Sequence, residues 1–190
     1  MIAKLETYAR QLTIIKFPYT NVIGIARSLL ALGTLLTLLL NDVSVLVPVA
    51  DGKVLNPLLN PPVPINAYNF YLLLGIEHIY IMKMIAILIL LLVMSGYLPQ
   101  VTCFFHWWVS VSFLLFSSAV DGGDQITANL TLLLIPLCLT DPRINHWRKA
   151  EVKERVSSLV GIFSVWLIRL QVAAIYFHAA VGKIPVEEWI

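Results

Sequence analysis

The residues of this chain best equipped for chemistry sit in its last long apolar run. Between Ser158 and Gly182 the run carries Arg169, Gln171, Tyr176 and His178, and Lys183 follows one position beyond. Arg169, Tyr176 and Lys183 recur at heptad spacing, so on a helix they share one face with only about 20° of drift per step. An arginine at mid-membrane depth costs about 2.5–3.5 kcal/mol on insertion scales unless it faces protein or a polar cavity. The stripe therefore calls for a partner on another helix or for a wet vestibule. Two roles are open to Lys183 at the end of the run. It can snorkel its ammonium to the headgroups, or, if desolvated, lose enough basicity to serve as a base.

Other groups invite similar questions. In DGGDQ, Asp121 and Asp124 flank Gly122 and Gly123, and Gln125 follows. The glycines permit a tight reversal with positive φ and an aspartate can cap the next helix; in the alternative, Asp124 and Gln125 face a polar site at the membrane edge. Arg27 stands near the start of the first apolar run, either as a positive charge fixed inside the bundle or as a snorkelling anchor. His106, beside Trp107 and Trp108, reads as interfacial. Cys103 and Cys138 both fall in apolar runs without metal-ligand spacing and read as small core residues. No phosphate loop, Ser-His-Asp arrangement or metal-spaced ligand set is present, and no cofactor is named by the residues.

The elements that must position these groups follow from composition. Of 190 residues, 59% are hydrophobic and 13% charged, with a mean hydropathy of +0.84. That is about half the charge of a soluble domain. Long unbroken apolar runs and a backbone that must satisfy its own hydrogen bonds predict an all-α, polytopic membrane helix bundle. Residues 1–16 place Ile2, Leu5, Tyr8, Leu12 and Ile15 at helical spacing among Lys4, Arg10 and Lys16, the pattern of an amphipathic interfacial helix. Five transmembrane helices are expected, near 21–40, 79–97, 101–120, 125–139 and 158–182. The fourth is short and contains Pro136, which predicts a tilt or kink. Pro48, Pro57, Pro61, Pro62 and Pro64 oppose regular structure between the first two spans.

Charge placement predicts orientation. Lys4, Arg10 and Lys16 precede the first span, and Arg143, Arg148, Lys149, Lys153 and Arg155 lie between the fourth and fifth. Five spans put both basic regions on one side, the cytoplasmic side by the positive-inside rule. Asp51, Asp121, Asp124, Glu187 and Glu188 fall opposite, so the C-terminus is expected outside. The basic segment DPRINHWRKAEVKER reads as a solvated loop with Trp147 as interfacial anchor. A net charge of +2 is too weak a bias for a nucleic-acid partner.

The segments NVIGIARSLLALGTLLTLLLND, VDGGDQ opening a helix, and RLQVAAIYFHAAVGKIPVEEW together resemble the HTTM membrane domain, named for vitamin K-dependent γ-carboxylase and its bacterial relatives. Within it the wording is most similar to the SdpB family. The resemblance covers about residues 17–190 and implies a multi-pass protein of the bacterial cytoplasmic membrane, needed to produce a secreted antimicrobial peptide. The implied partners are the lipid bilayer, a peptide toxin precursor and membrane proteins of the same operon. The carboxylase branch implies sharper chemistry, with Lys183 on the position of a lysine base and Asp124 on that of a loop histidine. Gly182 replaces a neighbouring lysine and the substrate-binding soluble region is missing, so carboxylation itself is not expected. The polar stripe and the resemblance together imply an outward cavity lined by Arg169, Tyr176, His178, Arg27 and Gln125; the alternatives are a membrane-embedded enzyme of carboxylase type with Lys183 as base, and a non-catalytic scaffold or immunity component. Related domains continue past the EEW segment with further helices, so the domain is expected to be incomplete at Ile190.

Overall fold

A computed structural model describes residues 2–47, 49–50, 53–54, 68–118, 120–153 and 155–184. The proline-rich segment, Asp51, Glu187, Glu188 and the EEW segment lie outside the described residues. The chain forms α1 (Ile2–Ile15), α2 (Asn21–Leu40), a single turn α3 (Val43–Leu46), α4 (Ile79–Ser95), α5 (Pro99–Phe116), α6 (Gly122–Thr140) and α7 (Ser158–Lys183). A two-residue antiparallel ladder, β1 (Val49–Ala50) with β2 (Lys53–Val54), follows α3. Two 3-10 turns, Phe70–Leu72 and Ile76–His78, precede α4.

Each apolar run becomes a helix with a narrow buried seam. On α2 the buried positions are Gly24, Arg27, Ala31, Thr34, Leu35 and Leu38, which is the three-then-four spacing of one helical face. On α4 they are Ile79, Met82, Ala86, Ile87, Leu90 and Val93. The remaining faces expose Leu29, Leu36, Leu39, Leu88, Leu91 and Leu92. Such surfaces are too apolar for water and suit lipid.

Helices α2, α4, α5 and α6 form a ring in which α2 packs on α4 and α6, and α5 packs on α4 and α6. Helix α7 stacks on the outside of α6, and α1 lies against α7. Among the described residues four helices are long and apolar enough to cross a membrane: α2, Ile76–Ser95, α6 and α7. The third expected span corresponds to α5, which has Thr102, His106, Ser110 and Ser112 among its buried residues. Protein encloses those side chains, so they need no lipid solvent.

One local expectation is corrected and its companion, the aspartate cap, is present. Gly122 and Gly123 do not make a reversal, because both lie in the first turn of α6. The helix begins there because Asp121 accepts a hydrogen bond from Asp124 N, while the Asp124 side chain accepts from Asp121 N. This reciprocal cap satisfies two donors that otherwise lack partners. The chain does reverse with positive φ at Gly96 (φ 81°), which ends α4. Leu98 (φ 44°) follows, and Pro99 starts α5. The strained Leu98 is held by its N–H, which donates to Ile144 O at 2.7 Å.

Candidate functional site: a buried cationic cavity

The α4–α5 turn is clamped to the segment that follows α6. His146 N donates to Gly96 O, and Tyr97 pairs with Asn145 as an isolated bridge. Trp147 Nε1 donates to Met94 O at 3.1 Å. Gln100 Nε2 reaches the carbonyls of Asp141 and Arg143 at 2.5 and 2.9 Å. Arg143 forms a two-pronged pair with Asp141, at 2.9 Å from Nε to Oδ1 and 2.7 Å from Nη2 to Oδ2. Its Nη1 donates to His146 O at 2.8 Å. Residues 141–147 are therefore docked rather than solvated. Within this docked stretch Asp141, Arg143 and His146 are buried while Pro142, Ile144 and Trp147 are exposed, and Arg148 and Lys149 beyond it are exposed too.

Beneath this lid lies Arg27, only 1% exposed. The snorkelling role is excluded by that burial, and its charge is fixed inside the bundle. Arg27 lies on α2, and its Nη2 crosses the ring to donate to Thr102 Oγ1 on α5. Nη1 lies 3.3 Å from His146 Nδ1. A guanidinium only donates, so Nδ1 accepts, and the ring is the neutral tautomer with its proton on Nε2. Burial, then the charges of Arg27 and Arg143, holds the His146 imidazole down to about 4, which agrees with a neutral ring at pH 7. Gly24, one turn before Arg27, leaves room for that ring, since a Cβ there would stand 2.7 Å from His146 Cδ2.

Around Arg27 is a small cavity of about 10 Å³, room for about one water molecule, lined by Tyr19, Gly24, Arg27, Cys138, Asp141 and His146 among others. Tyr19 OH, Arg27 Nε and His146 Nε2 are buried there with no hydrogen-bond partner. His106, 1% exposed on α5, also has an unpartnered Nε2. It is a core residue rather than an interfacial one. The i, i+4 recurrence of Thr102, His106 and Ser110 was the available signal, masked by the neighbouring tryptophans. Cys103 and Cys138 are free, buried thiols in one apolar cluster, as their small size suggests. Among the described residues no group of three or more His, Cys, Asp or Glu could hold a metal ion.

The other predicted site residues lie elsewhere. Every residue from Arg169 to Ile184 on and after α7 is exposed or partly exposed. Arg169 stacks on Trp166, 5.3 Å from its ring centre, and His178 meets Phe177 edge-on. Tyr176 and Lys183 share that exposed half-helix. Asp124 is engaged in the α6 cap, and Gln125 is exposed beside it. Of the predicted set, only Arg27 lines this cavity.

Helices with narrow buried seams and broad exposed apolar faces define a polytopic α-helical membrane protein. Over 177 residues, 91% of this chain, it is 39% identical to "Uncharacterized protein YitO" of Bacillus subtilis (strain 168), of which it covers 56%. Over 174 residues, 90% of this chain, it is 33% identical to the sporulation-delaying protein SdpB of the same organism, of which it covers 53%. The chain is therefore SdpB-like in sequence, and spans little more than half the length of these curated relatives. No protein-family model and no solved structure matches it, so the HTTM resemblance rests on the residues quoted for it.

Proposed function

We propose that this chain is an accessory protein of the cytoplasmic membrane for producing, maturing or exporting a secreted antimicrobial peptide. The observation that carries this reading is its similarity to a sporulation-delaying protein along nine-tenths of the chain. The positive-inside rule puts the N-terminus and the Arg27 cavity at the cytoplasmic side, and Lys183 and Asp124 at the outer side. In this arrangement Arg169, Tyr176, His178 and Lys183 form an outer half-helix available to a peptide or to companion membrane proteins. A lysine base of carboxylase type would need desolvation. Lys183 is exposed at the end of α7 and gains no support from its position.

The test is mass spectrometry of secreted peptides from native-host strains carrying the wild-type chain, a deletion, or Lys183→Ala, with membrane levels matched by immunoblot. Loss of a mature peptide in the deletion strain is expected. An unchanged secretome in that strain would remove the peptide-production role. Loss in Lys183→Ala at equal protein level would add the outer half-helix to the machinery.

A further inference from the structure

The segment between α6 and α7 joins the ends of two helices long and apolar enough to cross a membrane, so it lies at the bilayer surface. The positive-inside rule puts its excess of Lys and Arg on the cytoplasmic side. Topology alone requires only that such a loop be basic. Here it is also folded. A groove of about 280 Å³ opens on its surface, lined by Arg148, Lys149 and Arg155 and by the apolar Pro142, Ile144 and Ala150, among others. The frame of the groove is fixed. Asp141 holds the Arg143 guanidinium at 2.7 Å, and Arg143 Nη1 donates in turn to Arg148 O at 3.2 Å. Trp147 Nε1 ties the intervening stretch to Met94 O.

The charges around the groove do not cancel. Asp141 neutralises Arg143. Glu151, the one carboxylate among the described residues lining the groove, pairs with Lys153 at 2.5 Å. The side chains of Arg148, Lys149 and Arg155 are exposed and make no hydrogen bond or ion pair with the described residues. Three like charges on one groove repel each other, and an anion seated among them relieves that repulsion. The space lies just under the about 300 Å³ at which small-ligand sites begin and suits a phosphate with the few atoms attached to it.

The apolar residues point to the source of that anion. Ile144, Trp147, Val152 and Val156 are all exposed in the same loop. Cations interleaved with exposed apolar side chains suit the headgroup layer, where phosphates and acyl chains lie side by side. A free ion would leave those apolar groups in water.

We propose that this groove binds the phosphate of one anionic phospholipid of the cytoplasmic leaflet, with Arg148, Lys149 and Arg155 on the headgroup and Ile144 and Trp147 beside its acyl chains. The site stands whether or not the chain serves peptide production, and its test involves no secreted peptide.

The full chain, delipidated in a neutral detergent, would be titrated separately with phosphatidylglycerol, phosphatidylcholine and glycerol 1-phosphate, counting bound molecules by native mass spectrometry. One saturable phosphatidylglycerol is expected, with weaker retention of phosphatidylcholine, whose headgroup carries no net charge. Arg148→Gln, Lys149→Gln and Arg155→Gln change exposed side chains that have no protein partner, so the fold should survive them. Each is expected to raise the half-saturating phosphatidylglycerol concentration about fivefold, the effect of one basic residue at an anionic surface. Lys16→Gln, at an exposed cation outside the groove, should leave it unchanged. The proposal is overturned if no phosphatidylglycerol is retained, if phosphatidylcholine binds equally, or if glycerol 1-phosphate saturates the site at the same concentration as the lipid. It is also overturned if Lys16→Gln costs as much as the groove variants, or if those variants bind like the wild type.

Discussion

Two glycines of α2 provide a matched pair of perturbations with opposite expected signs. Alanine at a helix-interior glycine gains about 0.8–1.0 kcal/mol of helix propensity. At Gly33 an added Cβ meets nothing within 4 Å, so Gly33→Ala should keep that gain. At Gly24 the same atom would stand 2.7 Å from His146 Cδ2, 3.2 Å from Cγ and 3.3 Å from Nε2. That ring cannot swing aside freely, because Arg27 holds Nδ1 and Trp147 packs edge-on at 4.6 Å between ring centres. Overpacking of this kind costs about 1–3 kcal/mol. The two variants should therefore differ by about 1–3 kcal/mol, or about 2–12 °C in midpoint for a chain of this size. Thermal unfolding in nanodiscs, followed by tryptophan fluorescence, measures both the midpoint and the displacement of Trp147. Equal stability of Gly24→Ala and Gly33→Ala, with unchanged emission, would refute the close packing of α2 against the docked loop.

Three further expectations rest on the same end of the bundle and on the α6 cap. His146 is held at about 4, against an ordinary 6.5, so the unfolded chain takes up a proton first as pH falls. Stability is therefore complete above about 6.5, declines toward 4 by at most about 3 kcal/mol, and is flat below; His146→Gln should abolish that slope in midpoint-versus-pH scans. Asp141→Ala strands the buried Arg143 guanidinium and should cost about 3–5 kcal/mol. A loss under 1 kcal/mol in denaturant unfolding would show that the pair does not secure the loop. Asp121→Ala removes the acceptor at the head of α6 and should cost about 1 kcal/mol, measured as faster amide exchange in the first turn of that helix.

The membrane class, the helical content and the approximate limits of the helices were legible in the chain itself. Hydrophobic runs such as LLALGTLLTLLL admit one structure in lipid, because only a helix satisfies every backbone group within the run. The Asp121–Asp124 cap was legible for a similar reason, since its partners lie within one turn of each other. What depended on contacts between distant residues was not. Arg27 and His146 are 119 positions apart, and no pattern local to either shows that the loop after α6 folds back over α2. The basic loop was therefore read from its charge as solvated, whereas Asp141 neutralises Arg143 and frees the segment to dock. His106 was assigned to the interface by its tryptophan neighbours, although the face it shares with Thr102 and Ser110 turns inward. The stripe of Arg169, Tyr176 and Lys183 is a true helical face, but periodicity sets only which residues align. Whether that face is covered depends on which helix packs against it, and the described residues leave it exposed. Sequence alone determined that this chain enters a membrane as helices, because that follows from each segment's own transfer energy. Tertiary structure decided where its buried charge lies and what surrounds it, because that depends on which segments meet.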